Sequence, residues 1–139
     1  MVGMMKTHEL TIVVLKVLAL IFLLTGVQAL IAPTVFVAPT GIVLPDASSL
    51  AEVRAGYGGL LIGFAVLFWS GATRVSRRKP AIGIAALIFG LFAFARLLSL
   101  IVDGVPNAFS MVMHVVETAG FILTFLLWRG ADPWSDWRQ

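Results

Sequence analysis

The chain has 139 residues, 60% hydrophobic and 12% charged, with a formal net charge of +3. Its mean hydropathy of +1.01 exceeds what a core of this size can hide, since soluble domains are about half apolar and a quarter charged. With no Cys and only two His, the chain lacks disulfides, thiolate nucleophiles and Cys-ligated centres, and we expect neither a metal site nor a cofactor. The class is an integral membrane protein.

Four apolar stretches approach the ~20 residues that cross a ~30 Å hydrocarbon core. The first runs roughly over Leu10–Ala32. Lys6 and Lys16 ahead of Val27-Gln28-Ala29 imitate a secretory leader, but the apolar run continues through Ala32, which favours a retained span. The connection 33–49 holds Pro33, Pro39 and Pro45 yet is apolar, with Val35, Phe36, Val37, Ile42, Val43 and Leu44. It is expected to pack over the mouth of the bundle or dip into the interface, as a lid. The second span covers about Leu50–Ala72 and opens on a predicted capping box, Ser49-Leu-Ala-Glu52. The basic run Arg74–Lys79 reads as a topology signal that touches lipid headgroups, and we expect no nucleic-acid partner. The third span, about Pro80–Val102, is predicted to begin at Pro80, where a missing N–H is harmless. In the turn Asp103-Gly-Val-Pro-Asn107, Gly104 can close that helix and Asn107 can cap the fourth span, about Ala108–Trp128. Residues 129–139 form a Trp-rich tail, with Trp134 and Trp137 among Asp and Arg residues, that is expected to lie on the membrane surface.

None of the stretches alternates as barrel strands do, and in lipid the backbone must satisfy itself, so each is a helix. The fold class is an all-α four-transmembrane-helix bundle, residues 1–128. Lys6, Arg74, Arg77, Arg78, Lys79, Arg129 and Arg138 flank the spans on one side, while connections 33–49 and 103–107 carry neither Lys nor Arg. The positive-inside rule then puts both termini in the cytoplasm.

Ionisable residues inside spans are costly, about 2.5–3.5 kcal/mol each at the membrane centre on insertion scales. At about 1.5 Å per residue, Arg54 lies roughly 6 Å inside its span, Arg96 roughly 9 Å before the end of its own, and His114 and Glu117 roughly 9 and 13 Å into theirs. Because the spans alternate in direction, these depths define one layer, which Gln28 shares. Helical phase puts Arg96, Ser99 and Asp103 on one face, His114, Glu117 and Thr118 on another, Arg54, Tyr57 and Gly58 on a third, and Thr25 with Gln28 on a fourth. A shared polar cluster in the outer half of the bilayer is expected, with Gln28, Arg54, Tyr57, Arg96, Ser99, Asp103, His114 and Glu117 as ligand-binding candidates. Mutual neutralisation of Arg54 and Arg96 by Glu117 and Asp103 is the structural alternative. Glu52 faces elsewhere and reads as a cap, and Lys16 is expected to snorkel. Gly56, Gly59 and Gly63 on the second span, and Gly83, Ala86 and Gly90 on the third, let helices approach closely, which we expect to serve packing within the monomer.

The runs Ala51-Glu-Val-Arg54-Ala-Gly-Tyr57-Gly58-Gly59 and Arg96-Leu-Leu-Ser99-Leu-Ile-Val-Asp103-Gly104-Val-Pro106, followed by Glu117, resemble an uncharacterised bacterial four-helix membrane family of the DoxX-like superfamily. The resemblance spans all four helices and leaves out the Trp-rich tail. It implies a bacterial inner-membrane protein and no assigned reaction.

Three roles compete. The favoured one is binding or transport of an amphiphile such as a lipid, isoprenoid or quinone, with Arg54 and Arg96 receiving an anionic or polar head and Tyr57, Ser99 and Gln28 adding hydrogen bonds. The runner-up is an accessory subunit of a larger membrane complex or a homo-oligomer. Catalysis by a His114–Glu117 acid–base pair is the weakest, because nucleophile motif, phosphate loop and metal triad are all missing from the sequence.

Overall fold

A computed structural model describes residues 2–131, with side chains from residue 7 onward. Its α-helices are α1 (Val2–Ile31), α2 (Pro33–Val37), α3 (Ala47–Val53), α4 (Leu60–Thr73), α5 (Val75–Val102) and α6 (Ala108–Gly130). A 3-10 turn, Ala38–Thr40, follows α2, and a π-helical segment, Arg54–Gly59, joins α3 to α4 without a break. The described residues contain no strand. The Trp-rich stretch 132–139 lies outside them.

Four helical stretches are long and apolar enough to cross a membrane: Thr7–Ile31, Ala47–Thr73, Val75–Val102 and Ala108–Gly130. Leu24, Val66, Leu87 and Val115 on their outward faces are exposed to the surroundings. A surface this apolar is stable only in hydrocarbon. The chain is a multipass membrane protein, folded as a four-helix bundle.

Consecutive spans are neighbours: α1 lies along α4, α4 along α5, and α5 along α6. At one end, here the loop end, the Asn107 side chain donates to the Pro39 carbonyl at 3.1 Å and ties the two connections together. At the opposite, terminal end, Lys79 donates to the Ala131 carbonyl at 2.8 Å. The core holds Leu15, Phe22, Phe68, Ile82 and Leu127. Phe22 is its hub, meeting Phe64, Phe68 and Phe89 edge-to-face at centroid distances of 6.1, 5.3 and 6.2 Å.

Small residues set the helix spacing. A Cβ on Gly71 would run into the Ala81 Cβ, and one on Gly26 would lie 2.9 Å from Ile62. Gly83 rests against Trp128 and Gly90 against Phe121, so the glycines of the third span pack within the monomer as expected. The second span differs. Gly56, Gly59 and Gly63 meet nothing within 4 Å, and the glycine that packs is Gly58, against Leu30. The π segment is the reason, because its i→i+5 turns rotate the helix away from the phase an α-helix would keep.

Helix starts also differ from the sequence reading. The capping box lies three residues earlier: extended Asp46 accepts from the Ser49 amide at 2.8 Å, and the Ser49 hydroxyl accepts from the Asp46 amide at 3.2 Å. Asp caps as well as Ser does, and Ser49 completes the box, leaving Glu52 exposed and uninvolved. These bonds hold the Asp46 carboxyl below its ordinary value, the Ser49 amide contributing most. The helix with Pro80 begins at Val75, so Pro80 sits inside it and the basic run is helical after its first residue, the extended N-cap Arg74. Arg and Lys are good helix formers, and they carry the helix beyond the apolar stretch. The turn before α6 is as expected, with Gly104 at φ 92° and Asn107 accepting from the Ser110 amide at 2.9 Å. The connection 33–46 covers only part of the mouth: Pro33 and Val37 are buried, whereas Ile42 and Val43 are exposed.

The glycines separate two outcomes. Gly71→Ala should cost about 1–3 kcal/mol by forcing α4 from α5. Gly63→Ala, in open space, should be neutral or stabilise by up to about 1 kcal/mol. Unfolding titrations in mixed micelles measure both.

Candidate functional site

The site residues lie in separate groups along the loop half of the bundle. The best-defined one joins α5 to α6. Arg96, in the second half of α5, faces Glu117 in the middle of α6, and the guanidinium grips the carboxylate with two bonds: Nε to Oε2 at 2.5 Å and Nη2 to Oε1 at 3.1 Å. The Glu117 side chain is buried at 7% exposure, whereas that of Arg96 is 35% exposed. A fork of this kind neutralises both charges and fixes the register of the two helices. It also engages both oxygens of Glu117, leaving the two N–H groups of Arg96 Nη1 and one of Nη2 outside the fork.

One turn further along α5, the Ser99 hydroxyl donates to Asp103 Oδ2 at 2.7 Å. The i, i+4 spacing read from the sequence brings these two together. Arg96 and Ser99 line a cavity of about 90 Å³ with Leu100, Pro106, Ser110, Met111 and His114. The Nδ1 of His114 is buried without a hydrogen-bond partner. A buried polar atom left unpaired costs about 1–3 kcal/mol, so this nitrogen has hydrogen-bonding capacity to offer a molecule in the cavity.

Arg54 and Tyr57 lie instead on the π segment, against α1 and α2. The exposed Arg54 donates from Nε to the Leu30 carbonyl at 3.0 Å. Leu30 is in the last turn of α1, where carbonyls lack helical partners and a cation is favoured, so Arg54 finishes that helix. Tyr57 is 48% exposed, with its ring 5.4 Å from that of Phe36 in α2. Thr25 bonds back to the Ile21 carbonyl at 2.7 Å, and Gln28 is exposed beside it. Thus Arg96, Ser99, Asp103, His114 and Glu117 form one neighbourhood on α5, its C-cap and α6, and Arg54 with Tyr57 another on the π segment, against α1 and α2.

Sequence reasoning missed three features. Ser110 lines the cavity one turn before His114, an i, i+4 spacing that could have revealed it. The π turn had only a Gly-rich composition as its signal. At the terminal end, Arg78 is buried rather than directed to headgroups, with Nη1 2.8 Å from His8 Nε2 and Nη2 3.5 Å from the Ala72 carbonyl. Its spacing to Ile82 and Ala85 places it on the buried stripe of α5, and that spacing could have been read. A neutral His8 accepts the bond, so the basic run contributes one cation to packing. The described residues contain no group of three metal-ligating side chains.

A family model described as a domain of unknown function, DUF4345, matches residues 10–128. The chain belongs to the DUF4345 family. Its match takes in all four spans and both polar groups, and the description assigns no activity. Neither the curated proteins nor the solved structures yielded a match to this DUF4345 member.

Removing one partner of a fully buried pair costs about 3–5 kcal/mol. With Arg96 partly exposed, Glu117→Ala should cost about 2–3 kcal/mol in unfolding titrations. The double variant Arg96→Met/Glu117→Leu should recover more than half of that, because it leaves no unpaired charge.

Proposed function

We propose that this protein binds, and hands across or along the membrane, an amphiphile such as a lipid, isoprenoid or quinone, whose polar head enters the cavity between α5 and α6. One observation carries the reading: the unpartnered His114 Nδ1 beside a cavity that Arg96, Ser99 and Ser110 also line. The bundle core is filled by Phe22, Phe64, Phe68 and their neighbours, so the tail belongs on the outside. Leu97, Ile101, Val105, Phe109 and Val112, next to the cavity residues in sequence, are exposed and apolar. A tail lying along them stays in hydrocarbon while the head reaches polar partners.

The host membrane is the cytoplasmic membrane of a bacterium, with both termini inside. The distribution of Lys and Arg in the connections supports the orientation, and the resemblance to a bacterial membrane family supports the host. Because the chain has no Cys, single cysteines report topology directly. Thr40→Cys should react with an impermeant maleimide in intact spheroplasts, and Ser76→Cys only after lysis; the reverse pattern inverts the orientation.

A second reading, an accessory subunit or homo-oligomer, draws on Gly59 and Gly63, whose i, i+4 face is open in the monomer. Native mass spectrometry from nanodiscs separates the two. A small-molecule adduct lost in His114→Phe and Ser110→Leu supports amphiphile binding. Stoichiometric protein partners or dimers without such an adduct support the subunit.

A further inference from the structure

Resting on that reading, we propose that the cavity selects an uncharged head, a hydroxyl or carbonyl, over a phosphate, carboxylate or amine. By sequence, Arg96 is expected to receive an anionic or polar head. In the structure its fork is already filled, since Glu117 accepts from both Nε and Nη2. Glu117 balances Arg96 beside the cavity, and Asp103, which accepts from Ser99, is exposed and outside the lining. An entering anion would find Arg96 already neutralised by Glu117 and would have to break the fork to gain a counter-ion. An entering ammonium would meet Arg96, itself a cationic donor, in the cavity lining, with both oxygens of Glu117 already engaged.

The hydrogen-bonding capacity left over suits a neutral group. Ser99 has spent its proton on Asp103 and can only accept. Arg96 Nη1 can only donate. His114 Nδ1 donates or accepts according to tautomer, and the Ser110 hydroxyl does either. A hydroxyl head, donor and acceptor at once, can use both kinds of partner, and a carbonyl head can use the donors. Size agrees. A cavity of about 150 Å³ holds a benzene molecule, so one of about 90 Å³ has room for a small head such as a hydroxyl or the carbonyl edge of a ring.

The test is a series with one tail and four heads: hexadecanol, 2-hexadecanone, hexadecyl phosphate and hexadecylamine. Each competes for the full-length protein in nanodiscs of uncharged lipid, with retention read by native mass spectrometry. Hexadecanol and the ketone should be retained at least about tenfold more tightly than the charged pair, a difference of about 1.4 kcal/mol. Ser110→Leu, which fills the cavity, should abolish the preference, and His114→Phe should weaken the alcohol most. Tighter retention of the phosphate or the amine, lost in Ser110→Leu, overturns the uncharged head but keeps amphiphile binding. Equal retention of all four by the native chain and Ser110→Leu, or retention of none, overturns both. Ser110→Ala, which empties rather than fills the site, guards against misfolding: it should still retain the alcohol, though more weakly, and its loss of all four probes together with a lowered melting temperature assigns Ser110 to folding and overturns the proposal.

Discussion

Lipid removes the usual reason for helices to associate, because a tail is as apolar as a leucine side chain. What holds this bundle is close approach, and close approach depends on residues without bulk. Gly71 against Ala81 sets α4 on α5, Gly26 and Gly58 set α1 on the second span, and Gly83 and Gly90 admit Trp128 and Phe121 from α6. Dispersion across such contacts replaces the hydrophobic drive of a soluble core. The phenylalanine cluster around Phe22 then fills the space between the helices.

Against this apolar background, each polar contact has large consequences. Arg96 and Glu117 neutralise one another across α5 and α6, and the same bond determines what Arg96 can still offer a ligand. Arg78 is handled differently, by the ring of His8 and a carbonyl at the end of α4. Arg54 closes the last turn of α1. Three arginines that look alike in sequence thus act as half of an ion pair, a buried brace and a helix cap. The partner each finds, rather than its charge, separates the one beside the cavity from the two that serve the fold.

The π segment links these themes. It runs through Arg54-Ala-Gly-Tyr57-Gly-Gly59, where three glycines remove the side-chain crowding that a wider turn must otherwise accommodate. By shifting the phase of the second span it brings Gly58 onto Leu30, turns Gly59 and Gly63 outward, and points Arg54 at the end of α1. A single local departure from α geometry therefore decides both which face packs and which face is left for lipid or a partner.

Hydropathy and length were enough to read four spans from the amino-acid order, because the hydrocarbon thickness and the self-satisfied backbone admit few alternatives. Local chemistry was equally legible where it is short-range: Gly104 and Asn107 around the last turn, and the Ser99–Asp103 spacing along one helix. Depth along each span grouped the polar residues into one layer. Which of them meet depends on rotation about each helix axis and on which helices are neighbours. Those quantities come from packing between distant segments, and the π turn alters the first of them. So the split of the layer into Arg96 with Glu117 on one side and Arg54 with Leu30 on the other, the inward turn of Arg78, and the cavity beside His114 emerge only when the helices are assembled.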